Sequence, residues 1–160
     1  MECIPDKSAL LTETHRVLQD EGQILFAHYD WDSQSIDGDN KAFIREMVHR
    51  FGDWRQDWMA VSDAWMGRRL WTTINGSDLF EGQVKAYVLT NTEFCSPYYG
   101  YERINDFRSM VERGLIDKEE FERFYQEMEA RSRRGTYFYS ITMYVYFGHK
   151  KKKGISSCRP

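Results

Sequence analysis

Asp20-Glu21-Gly22-Gln23-Ile24-Leu25-Phe26-Ala27-His28-Tyr29 is the stretch on which the fold turns. A polar turn with one glycine gives way to a short, nearly continuous apolar run over 23–29. Such a run directly after a glycine turn reads as a buried parallel strand. Gly22 suits the left-handed residue of that turn. Upstream, Ala9, Leu10, Leu11, Val17 and Leu18 recur at helical spacing behind Asp6, a residue type suited to an N-cap. The spacing predicts an amphipathic helix over Lys7–Leu18, so helix, turn and strand follow one another.

Downstream, Asp30-Trp31-Asp32-Ser33 leaves the strand and Ser35–Asn40 reads as a polar loop. Lys41–Phe51 is a second helix, with Phe43, Met47, Val48 and Phe51 on or near one face. Trp58–Asn75 reads as helical in large part, stopped by Asn75-Gly76. Gln83–Thr92 has the period-two character of a strand. Glu93–Tyr101 is a loop of Cys, Ser, Pro, Tyr and Gly. Glu102–Arg113 is a third helix ended by Gly114. Asp117 and Glu120 form a capping box for a fourth, running to about Ser132. Thr136–Phe147 is a long strand, with Ile141, Met143, Val145 and Phe147 on one face and Phe138, Ser140, Thr142, Tyr144 and Tyr146 on the other. The class is α/β, with about three strands and four or five helices. Three strands are few for 160 residues, because sheets usually hold ~4–6.

Composition narrows the function. The net charge is -3, which gives no field to attract nucleic acid. The lysines at 150–153 open a basic tail, 150–160, that reads as a solvated end. Cys3, Cys95 and Cys158 are odd in number and far apart, with no CxxC, which argues against a disulfide framework and a zinc site. His15, His28, His49 and His149 share no ligand spacing, so no metal is expected. No run approaches the ~20 apolar residues of a membrane span. The expected setting is a reducing cytoplasm. Aromatic residues make up 16% of the chain, enough either for a ring-packed core and interface or for a pocket that holds an organic ligand.

Leu10-Leu11-x-Glu13-x-x-Arg16-Val17-Leu18-x-x-x-Gly22-x-Ile24-Leu25 resembles a recurrent segment of class I S-adenosylmethionine-dependent methyltransferases. In that family it is the helix before the fifth strand, followed by the strand itself. Ile4-Pro5-Asp6 is similar to the loop after the fourth strand. Met66-Gly67-Arg68-Arg69-Leu70 resembles a helix of the small-molecule methyltransferases, and Gly135–Ser140 to Gly148-His149-Lys150 looks like the last strand. The likeness extends over about Ile4–Lys150. It implies a seven-stranded Rossmann-like sheet in the order 3-2-1-4-5-7-6, of which this chain holds strands 5, 7 and 6. Residues 1–149 would form a methyltransferase-like C-terminal subdomain acting on a small molecule with S-adenosylmethionine as methyl donor. The glycine-rich turn and the acidic ribose-binding residue of the family are missing from these 160 residues, so no cofactor-binding residue is assigned. Two expectations follow from that. Either the chain is a piece of a longer enzyme, or it is a half that assembles with another chain.

With strand four gone, Gln23–Tyr29 would be an edge strand. It has no proline and no inward lysine to blunt it, so pairing with a second copy or with a partner chain that completes the sheet is expected. A non-catalytic module assembling through that edge is the alternative to an enzyme. Ligands of open α/β sheets sit beyond the carboxyl ends of the strands, which selects Tyr29, Asp30, Trp31 and Asp32. These can hold a cationic or amine substrate, or can serve as a packing plug and loop caps. Arg68 and Arg69 can pair a substrate carboxylate, or lie solvated near Asp63. Tyr98, Tyr99 and Tyr101 can form a lid beside Cys95, or an interface. His28 can act as a base, or be a satisfied strand histidine. Methyl transfer needs mainly proximity and orientation, so no catalytic residue is named.

Overall fold

The computed structural model describes residues 1–151. Helix α1 (Lys7–Val17) starts where the sequence predicts, because the Asp6 carboxylate accepts the Ala9 N–H at 2.8 Å. In the turn that follows, Glu21 takes the left-handed conformation (φ 63°) expected of Gly22. Gly22 is needed for room instead, since a Cβ there would stand 2.8 Å from the Gln19 carbonyl.

Strand β1 (Gln23–Tyr29) forms, but it is neither buried nor flanked by a parallel strand. Its partner is the last strand, β4 (Tyr139–Lys150), antiparallel from Gln23↔His149 to Tyr29↔Met143. β3 (Phe80–Asn91) lies on the other side of β4, antiparallel from Phe80↔Lys150 to Asn91↔Tyr139. The two-residue β2 (Ser35–Ile36) lies within the stretch expected to be loop and pairs with Ser140 and Tyr139. The architecture is α/β with an open antiparallel sheet and β4 at its centre. The run over 23–29 looked buried because it is apolar throughout, but only Ile24 is fully covered and Leu25 is 69% exposed.

Helices cover the two faces of β4 unequally. α1 and α3 (Met66–Asn75) pack on one face, around Leu11, Ile24, Leu70, Ile74, Phe80 and Tyr146. The helix expected from Trp58 begins only at Met66. Before it, the Ala64 carbonyl accepts the Trp31 N–H at 3.0 Å, and the Asp63 carboxylate accepts the Trp65 N–H at 3.2 Å. Bonds that a longer helix would use internally are thus spent on the turn after β1.

The other face carries α2 (Lys41–Asp53), α4 (Tyr99–Asp106), α5 (Arg108–Glu112) and α6 (Lys118–Arg133). They enclose Phe43, Met47, Phe107, Phe121, Tyr139 and Ile141. The single helix expected over 102–113 is two, broken at Phe107. There the N–H bonds back three residues to Ile104 and the ring drops into the core, 5.0 Å from Phe51. α6 is capped as the sequence indicates, with Asp117 accepting the Glu120 N–H at 2.8 Å. These helices stop short of the far end of β4. Met143, Val145 and Phe147 remain only partly covered there, beside Leu25 and the 52% exposed Tyr87.

Lys150 belongs to β4 and not to a tail: its ammonium donates to the Leu18 carbonyl at 2.9 Å. The Lys151 ammonium contacts Asp78. The rest of the expected tail, 152–160 with Cys158, lies outside the described residues. Among the described residues no helix is long and apolar enough to cross a membrane, and no cluster of ligand-type side chains could hold a metal ion.

Candidate functional site

The chain leaves β1 at Tyr29, and a one-turn 3-10 helix over Trp31–Ser33 follows. Alternation sends successive side chains to opposite faces of the sheet. Asp30 goes to the α3 side, while Tyr29 and Trp31 go to the side of α2 and α4. The four residues selected after β1 are therefore split between two environments.

On the α3 side Asp30 is 2% exposed. Arg68 grips it with both arms of its guanidinium, Nη2 to Oδ1 at 2.6 Å and Nε to Oδ2. This pairing pushes the Arg68 pKa further up. A bidentate arginine is what a buried carboxylate requires. Gly67 makes it possible. A Cβ there would stand 2.8 Å from the Tyr29 carbonyl, so only glycine lets α3 come this close to β1. The Gly67-Arg68 pair of the sequence motif is a docking device, and neither Asp30 nor Arg68 is free for a ligand. Asp32 accepts from the Trp65 indole, and Arg69 pairs with Asp63 at 2.8 Å.

On the other side Tyr29 lies 5.7 Å from Trp31 and 5.1 Å from Tyr99, centroid to centroid. Burial pushes the Tyr99 hydroxyl up to about 12, against the pull of Arg103, so it stays protonated at neutral pH. Arg103, one turn along α4 from Tyr99, sits over three rings: Tyr99 at 5.2 Å, Trp31 at 5.4 Å and Phe51 at 5.6 Å. Asp106 pairs with it, Oδ2 to Nη2 at 2.6 Å. Tyr98, by contrast, is exposed, and the neighbouring Glu93 raises its pKa. The structure thus brings Tyr29, Trp31 and Tyr99 together, ties Asp30 to Arg68, and leaves Tyr98 in solvent.

No family model matches this chain, and no curated protein matches it. The geometry therefore carries the functional reading. Beside the Tyr29–Trp31–Tyr99 stack opens a cavity of about 240 Å3, walled by Trp31, Phe51, Trp54, Trp58, Glu2 and Arg103. Glu2 is fixed by the Trp31 indole, 3.1 Å from each carboxylate oxygen, and by His28 Nε2 at 3.2 Å. Burial pushes the Glu2 carboxyl up, but hydrogen bonds from His28 and Trp31 outweigh it and hold the group below its ordinary value. His28 is thus a satisfied partner and not a free base.

Sequence reasoning found Trp31 and missed Glu2, Phe51, Trp54, Trp58 and Arg103. Only Arg103 carried a signal, because Tyr99, Arg103 and Asp106 fall at i, i+4 and i+7 on one helix face. Glu2 lies 29 residues from the indole it binds, and nothing local marks it.

The residues present do not fit S-adenosylmethionine. Among the described residues Gly38 alone lies in a turn between a strand and a following helix. Its missing Cβ faces Ile44 at 2.7 Å and Met128 at 3.4 Å, so side chains fill the space a cofactor backbone contact needs. The flanking Asp37 and Asp39 are held by Arg131 at 2.9 and 2.8 Å. Asp37 and Asp39 are exposed surface partners of Arg131, and Asp30 is buried against Arg68 and closed to a ribose.

Proposed function

We propose that this chain is the acceptor-binding half of a small-molecule methyltransferase of the class I type, with an S-adenosylmethionine site that is completed only on assembly with a second copy or a partner chain. The supporting observation is the sheet order β1-β4-β3, with α3 connecting β1 to β3 on the face that also carries α1. On this view β1, β4 and β3 stand for strands 5, 7 and 6 of the family. In this reading the chain orients the acceptor at the carboxyl end of β1 and shields it with rings, in a cytoplasmic setting. Proximity is the main demand of methyl transfer.

The test is calorimetric titration of the chain with S-adenosylmethionine, its mass followed by light scattering. Micromolar binding in an assembled state supports the reading. Absence of binding at millimolar cofactor in every assembled state removes it.

A second reading, a module that assembles through its sheet edge, draws on β1. Asp30 donates its N–H to Thr142 and Gly22 accepts from Lys150, so even-numbered residues bond toward β4. The N–H and C=O groups of Gln23, Leu25 and Ala27 therefore point to the open side. A second copy or a completing chain would pair there. Leu25→Lys should leave the melting temperature unchanged and shift light scattering toward the monomer. An unchanged mass distribution counts against this edge.

A further inference from the structure

We infer that the cavity at the end of β1 binds a planar aromatic acid or phenol of one or two rings. The inference deepens the reading above by naming the acceptor class, and it rests on that reading only for what the ligand is used for.

Size comes first. About 240 Å3 lies below the ~300 Å3 at which drug-sized sites begin, which leaves room for one or two fused rings. Shape comes second. Trp31, Phe51, Trp54 and Trp58 wall the space, and flat side chains favour a flat ligand that can stack or meet them edge-on. Trp31, Phe51 and Trp54 are braced against one another, with centroids 5.5 Å apart for Trp31–Phe51 and 6.4 Å for Phe51–Trp54. Trp58 is different: it is 69% exposed, its indole donates to Gln56 at 2.9 Å, and it stands on the open side without a packing role that accounts for it.

Polarity comes third, and the two charged walls decide it. The Glu2 carboxylate already accepts from Trp31 and lies against His28, so it has little need of a donor from a ligand. Arg103 has five N–H bonds to give, and its charge is paired with the Asp106 carboxylate alone among the described residues. Its Nε is buried against rings without an acceptor, so the N–H bonds left for a ligand are those of Nη1 and Nη2. The unfilled capacity at the cavity is for an acceptor, which a carboxylate or phenolate oxygen supplies and an amine does not. Asp30 and Asp32, the residues considered for a cationic substrate, do not line this cavity: Asp30 is held by Arg68, and Asp32 accepts from the Trp65 indole.

Three of the five tryptophans line the cavity, so intrinsic fluorescence reads it directly. The full chain is titrated, without cofactor, with 4-hydroxybenzoate, benzylamine and cyclohexanecarboxylate. Saturable quenching by 4-hydroxybenzoate with half-effect at or below about 1 mM is expected, a scale suited to a ligand of about ten heavy atoms. Cyclohexanecarboxylate, which keeps the charge and loses the ring, should bind at least about tenfold more weakly, as should benzylamine. Arg103→Met should weaken 4-hydroxybenzoate about tenfold, the value of a charge-assisted bond. Trp58→Ala, at an exposed position, should weaken it about threefold, with Trp31 and Trp54 still reporting. No saturable quenching, equal affinity for the saturated acid, tighter binding of benzylamine, or an Arg103→Met variant that is folded by circular dichroism and binds unchanged each overturns the proposal. Because binding is read without S-adenosylmethionine, loss of the methyltransferase reading leaves the ligand site standing. Loss of quenching removes the aromatic acid and leaves methyl transfer to another acceptor.

Discussion

The two faces of β4 are closed by different means. On the α1 and α3 side the helix comes down on backbone: Gly67 touches Tyr29 directly, and one ion pair, Asp30 with Arg68, locks the contact. On the α2 and α4–α6 side the closure is made of rings, including Phe51, Phe94, Phe107, Phe121, Tyr99 and Tyr139, packed at angles to one another. A glycine contact leaves no room. Large rigid rings carried on short helices and coil meet edge-to-face and fail to fill every gap. The ring-walled cavity of about 240 Å3 lies on that side.

The largest expected effect comes from breaking the lock on the glycine side. Arg68→Met leaves a buried carboxylate without its counter-charge and should lower the unfolding free energy by about 3 kcal/mol. Asp30→Asn should cost roughly half as much, because Arg68 is 40% exposed and can hydrate its own charge. Urea unfolding of both variants reads the asymmetry, and equal losses would mean that the pair acts only as a packing contact.

Gly67→Ala is next. Its Cβ would meet the Tyr29 backbone at 2.8 Å, and neither backbone can yield without moving α3 off β1, so a loss of about 2 kcal/mol is expected. A thermal melt within one degree of the parent would show that the two elements slide freely.

Three buried tyrosines sharpen the contrast further. The Tyr139 hydroxyl, on the ring side, donates to the buried Gln34 side chain at 3.0 Å. Those of Tyr137 and Tyr146 are buried with no partner. Tyr139→Phe should cost about 1–2 kcal/mol, since it strands a buried acceptor. Tyr137→Phe and Tyr146→Phe should be neutral or slightly stabilising. The rank order of the three in denaturant is the measurement; similar losses for all would mean that the hydroxyls of Tyr137 and Tyr146 find partners in solution.

The smallest effect concerns pH. Glu2 is held below its ordinary value in the folded chain, so its contribution is present at neutral pH and fades as pH falls through the folded-state value. The stability gap between the parent and Glu2→Gln should therefore be open at neutral pH and should close at acid pH, below the ordinary glutamate range. A gap that stays constant down to acid pH would mean that the carboxylate charge is irrelevant to the anchor.

Much of the chain was legible one segment at a time. Asp6 and Asp117 each cap the helix that follows, through a bond to an N–H three residues on. The alternation in β4 placed Ile141 and Tyr146 on opposite faces, as found. The errors fell where distant partners intervene. The helix expected from Trp58 gives way where the Ala64 carbonyl bonds to the turn after β1, and the run over 23–29, an edge strand as expected, pairs antiparallel and lies half-exposed instead of buried beside a parallel strand.

The sequence by itself determined the three long strands, the main helices and their order, because caps and periodicities act within three or four residues along the chain. Tertiary structure alone decided that Asp30 meets Arg68 and that Glu2 meets Trp31, 38 and 29 residues apart. It also decided that Arg103 faces the rings beside them. The physical reason is that such contacts are set by which helix covers which face of the sheet, and a pattern read along one strand fixes its faces without saying what will lie against them.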